Sequence, residues 1–261
     1  RRQMVRSNLS YCPFCKINLA SESGTLSWIA NAFANHGESQ QHLSCMRAAL
    51  FNPAELTNVV QDARPTNEER QLVSECRKQL KKCLSLSDGQ LFMTGSVGRG
   101  TALRGALDFD VVLVWKSTGR TAIREIESLL RTPGSGFEVD EHAFRSRLVF
   151  ARFNNIELDI APRKEHFDHY RGPLGHVYSF EREPERHNDL VRLLKAWART
   201  HVKVPGFLVE VVVREVHSID PGFNLSRGFI IALNLLQEER SWLDPLDPSN
   251  DLSTRVSQKM W

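Results

Sequence analysis

Residues 95–114, GSVGRGTALRGALDFDVVLV, place a Gly-Ser turn a short distance ahead of two carboxylates, Asp108 and Asp110, that alternate along an apolar run. Gly95 lets backbone N–H groups approach a ligand closely, and Ser96 adds a hydroxyl at the same turn. The following stretch, 97–103, predicts the opening of a helix whose N-terminal N–H groups favour an anion such as a triphosphate. Arg99 and Arg104 add positive charge there. Two carboxylates that close repel each other unless a cation sits between them. Hard oxygen ligands with few neighbours suit Mg²⁺ or Mn²⁺, which take one or two carboxylates plus substrate phosphates. A two-metal site needs a third acid. NIELDIAP supplies Asp159, which shares a strand face with Glu157 and is preferred because it lies deeper among apolar residues.

These groups require strands. LFM (91–93) reads as a short strand breaking at Gly95, and Phe109 with 111–114 reads as a buried one. Residues 137–162 carry alternating and clustered apolar positions, with a turn at Asn154-Asn155. Upstream, Thr66-Asn67-Glu68-Glu69 has the form of a capping box and starts a helix. Leu72, Cys76, Leu80, Cys83 and Leu84 form its apolar stripe, and Arg77, Lys78, Lys81 and Lys82 form another face, able to track the phosphates of a duplex. Residues 189–199 carry Leu190, Leu193, Leu194 and Trp197 on one side, and 225–236 is apolar almost all round, as in a buried helix. Residues 208–216 are Val-rich and favour a strand by propensity.

The N-terminal segment carries a second constellation. Cys12 and Cys15 form Cys-x-x-Cys, and His36 and His42 follow at His-x5-His spacing, the order of a tetrahedral Cys₂His₂ zinc site, with Cys45 as a substitute ligand. A segment so small has little core of its own, and Zn²⁺ would stabilise it. Five cysteines, an odd number, argue against a secreted disulfide framework. A net charge of +3 is too small to signal nucleic-acid binding by itself, so a polyanion site must come from local clustering. The apolar stretches are too short and interrupted to span a bilayer, and the Arg-rich start lacks a following signal segment, so no membrane partner and an intracellular place, cytoplasmic or nuclear, are expected.

The whole pattern resembles the nucleotidyltransferase superfamily and, within it, the 2′-5′-oligoadenylate synthase and cyclic GMP-AMP synthase-like branch. The resemblance rests on GSVGRGTALRGALDFDVVLV, on LVRLLKAWART (190–200), on VPGFLVEVVV (204–213) and on WLDPLDPSNDLS (242–253), four motifs in order over 66–261. It implies an α+β fold: a mixed-sheet nucleotidyltransferase catalytic lobe at 66–185, a helical C-terminal lobe at 186–261, and a small N-terminal zinc finger at 1–52 joined by a linker at 53–65. It also makes 208–216 a helix. Gly95 and Ser96 would hold a nucleoside triphosphate, and Asp108 and Asp110 would bind both metal ions. Asp159 would bind the ion that activates the acceptor hydroxyl, and Lys195 would contact the triphosphate. The synthases place Gln-Tyr near the base where this chain has Gly206 and Phe207. Phe207 can stack on a purine, but the groups that would read adenine are missing. Double-stranded RNA as an activator, contacting Arg77, Lys78, Lys81 and Lys82, and a role in innate immunity follow from the resemblance alone. The expected activity is template-independent synthesis of oligonucleotide second messengers. The alternatives are RNA terminal nucleotide addition and a catalytically silent RNA-binding or dimerisation module.

Overall fold

The computed structural model describes residues 52–140, 147–164, 172–180, 183–201, 204–238 and 241–255. Its elements in chain order are α1 (Pro53–Ala63), α2 (Asn67–Cys83), β1 (Leu91–Met93), α3 (Gly95–Gly98), β2 (Asp108–Val114), α4 (Gly119–Leu130), β3 (Phe137–Val139), β4 (Val149–Phe153) and β5 (Ile156–Arg163). They continue with α5 (Gly172–Phe180), α6 (Glu185–His201), α7 (Gly206–Ile219), α8 (Leu225–Gln237), β6 (Leu243–Asp244), β7 (Asp247–Asp251) and a 3₁₀ turn (Leu252–Arg255). The chain divides into a sheet unit, Pro65–Ala102 with Ala106–Arg182, and a helical unit made of Glu183–Trp261, Leu103–Gly105 and the segment up to Arg64. No described helix is long and apolar enough to cross a membrane.

In the sheet unit five strands run in the order β1-β2-β5-β4-β3. β2 and β5 are parallel and every other pair is antiparallel, so the sheet is mixed, as the sequence predicts. The hairpin between β4 and β5 turns at Asn154, which takes a left-handed φ of +51°, a conformation its short polar side chain tolerates. Alternation then sorts the faces. Phe109, Val111 and Leu113 of β2, Leu158 and Ile160 of β5, and Val149 and Ala151 of β4 are buried in one core with Cys76 and Leu80 of α2 and Ile123, Ile126 and Leu130 of α4. Burial of each Leu, Ile or Phe there is worth roughly 1.5–3 kcal/mol. The start of α2 is fixed by the capping box. Glu69 N donates to Thr66 Oγ1 at 3.2 Å, and Thr66 N donates to Glu69 Oε2 at 2.7 Å.

The helical unit packs α1, α6, α7 and α8 around Leu56, Leu190, Leu193, Leu194, Leu208, Val212 and Phe229. Residues 53–65 are therefore not a linker. Pro53–Ala63 is a helix whose Leu56, Val59 and Val60 are core residues, capped by Asn52, whose side chain accepts from Ala54 N. Pro53, which reads as part of a connector, instead opens the first turn of a helix, where proline's missing N–H is harmless. The Val-rich segment after Gly206 is helix α7, because packing against α6 and α8 overrides strand propensity. Helix α8 is one-sided rather than buried all round. Phe229, Ala232, Leu235 and Leu236 face the core, while Ile230 is 48% exposed. A Cβ on Gly228 would lie 2.5 Å from the Phe223 ring and 2.8 Å from Leu190 Cδ2, so glycine permits that close packing. The 242–253 motif forms a β6–β7 hairpin anchored by buried Trp242 and Leu252, and Leu252 N donates to Trp242 O at 2.8 Å.

Candidate active site

The face of the sheet opposite α2 and α4 carries the acids. In the parallel β2–β5 ladder Asp110 pairs in register with Asp159, and Asp108 pairs with Glu157. Paired residues project to the same side, so four carboxylates share one face at neighbouring positions. Asp108 at the strand start is exposed, whereas Asp110 and Asp159 are half-buried. Burial, with Asp159 and Asp108 alongside, pushes the Asp110 carboxyl up to about 6, and Arg99 acts in the opposite direction. The sequence-predicted acids thus come together, including Asp159 from a strand about 50 residues away in the chain.

The Gly-Ser turn closes onto this carboxylate. The pairing of β1 with β2 extends to Thr94, whose N–H donates to Asp110 O at 2.8 Å. The chain then makes the single helical turn of α3. Gly95 has φ +60°, and a Cβ there would lie 1.7 Å from Asp110 Oδ2. Both the backbone angle and the contact exclude any other residue at this position. Gly98 is equally confined, since its Cβ would meet Met93 O at 2.5 Å. The helix expected over 97–103 is replaced by this one turn over 95–98. Gly100 at φ +71° ends it, and Thr101 N donates to Ser96 O at 2.8 Å.

The donor set fits a hard divalent cation. Oxygen ligands predominate, and the Asp110 carboxyl is raised first by burial and then by the like charges of Asp159 and Asp108, an environment that a cation would relieve. Among the described residues no three His, Cys, Asp or Glu side chains converge tightly enough to hold an ion unaided.

In the helical unit Lys195 of α6 meets Glu210 of α7 at 2.6 Å. The lysine side chain is 11% exposed and the carboxylate 0%. Glu210 is not among the sequence-predicted site residues, although a carboxylate inside FLVEVVV demands a partner. Gly206 sits beside the pair; a Cβ there would touch Lys195 Cε at 3.3 Å. Phe207 is half-buried and packs against the core of this unit. His187 of α6 is fully buried, and burial together with His217 pushes its imidazole down to about 4. On α2, Lys78 and Lys82 are exposed, Arg77 is half-buried, and Lys81 is paired with Asp88 at 2.6 Å. The zinc ligands Cys12, Cys15, His36 and His42, with Cys45, lie outside the described residues.

Residues 73–165 match the sequence model of the nucleotidyltransferase domain, a span that includes the Gly-Ser turn and all three acids. The match assigns a nucleotidyltransferase domain to this span, and the mixed-sheet fold agrees with it. The solved structures it is similar to include a cytoplasmic RNA terminal U-transferase (15% identity, TM-score 0.62, covering 80% of this chain and 88% of that one). They also include the Cid1 poly(U) polymerase in complex with the UTP analogue UMPNPP (14% identity, TM-score 0.63, covering 82% and 90%). A third is the E. coli MS115-1 CdnC:HORMA-deltaN complex (18% identity, TM-score 0.57, covering 77% and 82%). At these identities the likeness is one of fold. No curated protein matches the sequence.

Proposed function

We propose that the chain joins nucleoside triphosphates into short oligonucleotide messengers by metal-dependent, template-independent transfer, in the manner of an oligoadenylate synthase. The observation that carries transfer is the trio Asp108, Asp110 and Asp159 on one sheet face, with Gly95 pressed against Asp110. Gly95 and Ser96 hold the donor triphosphate, and the three acids hold Mg²⁺ or Mn²⁺. The ions neutralise charge on the α-phosphate and the leaving pyrophosphate. Asp159 lies on the acceptor side and receives the proton of the attacking ribose hydroxyl. Orientation of that hydroxyl in line with the leaving group supplies much of the acceleration. Lys195, its charge held by Glu210, meets the triphosphate, and Phe207 stacks on the donor base. The preference for messengers over RNA tails rests on the four synthase-like motifs spread over 66–261.

Two accessory roles complete the proposal. Arg77, Lys78, Lys81 and Lys82 form a contact for activating double-stranded RNA, with Lys78 and Lys82 its exposed members. Cys12, Cys15, His36 and His42 bind a structural Zn²⁺.

A second reading, terminal nucleotide addition to RNA, is favoured by the likeness to the terminal U-transferase and the poly(U) polymerase, each spanning 80% or more of this chain. One experiment separates the two. Purified protein is incubated with four labelled triphosphates and Mg²⁺ or Mn²⁺, with and without double-stranded RNA, and with a single-stranded RNA as competitor acceptor. Short soluble products that vanish in Asp108→Ala and Asp110→Ala establish messenger synthesis. Label confined to added RNA establishes tailing and rejects it.

A further inference from the structure

Four carboxylates share the acid face, and their neighbours on β4 set them apart. Asp108, Asp110, Glu157 and Asp159 stand at the corners of a block, with Asp108 beside Glu157 and Asp110 beside Asp159 across the β2–β5 ladder. One strand further out, Arg152 of β4 pairs in register with Glu157, and Phe150 pairs with Asp159. The same row continues to β3, where Glu138 pairs with Arg152. The guanidinium bridges its two neighbours: Nη2 lies 3.8 Å from Glu157 Oε1, and Nη1 lies 3.9 Å from Glu138 Oε2. Glu138, Arg152, Glu157 and Asp108 thus form a row of charges across the sheet, and its cation adjoins Glu157 rather than the other three acids of the block.

We infer that Arg152 determines which ion the acid face selects, by holding Glu157 to the β4 side so that Asp108, Asp110 and Asp159 act on the ion without it. Arg152 and Glu157 are both half-buried, and an ion pair at that exposure adds little to stability. Its effect is on where charge lies. A carboxylate in register with Asp108 and unopposed by a cation adds its charge to a crowded block and reaches towards any metal held there. Arg152 opposes that charge from the outer side. Glu138 matters for the converse reason. A guanidinium beside several acids is drawn towards them and competes with a metal, and the carboxylate on β3 pulls it back. The smaller ligand set suits Mg²⁺, which keeps water and phosphate oxygens around it. An added carboxylate, able to make bidentate contact, suits the larger and more flexible oxygen shell of Ca²⁺. Arg152 therefore tilts the face towards Mg²⁺ and away from Ca²⁺.

The inference rests on the transfer reading above, which makes this face a metal site, and its test is read without turnover. Thermal midpoints of the full chain are recorded against Mg²⁺ and against Ca²⁺ without nucleotide, and the ratio of the two apparent affinities is taken. Arg152→Gln is expected to raise Ca²⁺ affinity relative to Mg²⁺ by about tenfold, since ligand charge tunes such sites over decades. Arg152→Lys, which keeps the charge, should hold the unmodified ratio. Arg152→Gln combined with Glu157→Gln should return to it. A merely structural ion pair would lower the midpoint without ions and leave the ratio alone, so the ratio separates selection from stability. A ratio unchanged in Arg152→Gln, or a raised ratio that persists in the double variant, overturns the inference. In Asp110→Asn both ions should lose most of their effect. Ion binding that depends on Asp110 while the ratio stays fixed in Arg152→Gln rejects the role of Arg152 and leaves the transfer reading standing. Ion binding indifferent to Asp110 rejects both.

Discussion

In the sheet unit Asp108, Asp110 and Asp159 crowd onto one face with Arg99 as the cation acting on Asp110, whereas in the helical unit Lys195 and Glu210 meet at 2.6 Å and neutralise each other. Both centres hold buried or half-buried charge, yet only the second is complete in itself. A matched pair costs desolvation and recovers most of it by mutual attraction. At the acid face like charges adjoin, so a cation that binds there stabilises the folded chain. That difference is a signature of function, because strongly displaced ionisation of the kind Asp110 shows clusters at sites that bind or react.

The largest effect is expected from removing one charge on each side. Asp110→Asn keeps the shape of the side chain and relieves repulsion. In EDTA its thermal midpoint should rise by a few degrees, while transfer with Mg²⁺ falls about a thousandfold, roughly 4 kcal/mol of transition-state stabilisation. Glu210→Gln should do the reverse, lowering stability to denaturant by about 3 kcal/mol, because Lys195 keeps its charge at 11% exposure without a partner. Adding Lys195→Met to Glu210→Gln should recover much of that loss. If Asp110→Asn destabilises, or if the double change recovers nothing, the two centres are not of different kinds.

How these centres show in the sequence differs for the same physical reason. The Gly-Ser turn and the acids are legible because alternation along a strand and a glycine with no substitute leave local patterns, and register then carries Asp159 to Asp110. The capping box at Thr66 is legible for the same reason, since both its bonds close within four residues. Glu210 was not read because its partner lies 15 residues away on another helix, a distance that periodicity does not span. Helix α1 was misread for a related reason. Its polar residues describe the exposed surface, while Leu56, Val59 and Val60 gain meaning only from α6 and α8. The Val-rich α7 inverts its local propensity because its buried surface lies in tertiary contacts.

Titration offers a finer division between the two units. Asp110 has a folded-state carboxyl raised from 3.8 to about 6, so the native state binds the proton more tightly than the unfolded chain. Its contribution to stability is full below pH 4 and is lost as pH rises towards 6. His187, buried and lowered from 6.5 to about 4, has the opposite sign: stability is gained across the same window. Thermal midpoints measured in EDTA from pH 4 to 7 should therefore diverge by about 3 °C between the unmodified protein and Asp110→Asn, with Asp110→Asn the more stable at the upper end. His187→Phe should diverge with the opposite slope. Saturating Mg²⁺ should flatten the first difference and leave the second, because the ion acts where carboxylates gather and His187 is not among them.

Arg99 gives the smallest and most discriminating effect. It is the group that holds the Asp110 carboxyl down against burial and two neighbouring acids, and it is the weakest of the four influences. Arg99→Gln should move the Asp110 midpoint upward by a few tenths of a pH unit, read as a shift of the EDTA stability curve towards higher pH. Arg99→Lys should restore it, since a charge near the Gly-Ser turn suffices and no forked geometry is required. The shift should shrink as salt is raised, because Arg99 is half-exposed and its field is screened. A midpoint that stays put in Arg99→Gln would mean that Asp110 is governed wholly by burial and its fellow carboxylates. The acid face would then be an even purer contrast to the self-neutralised pair of Lys195 and Glu210.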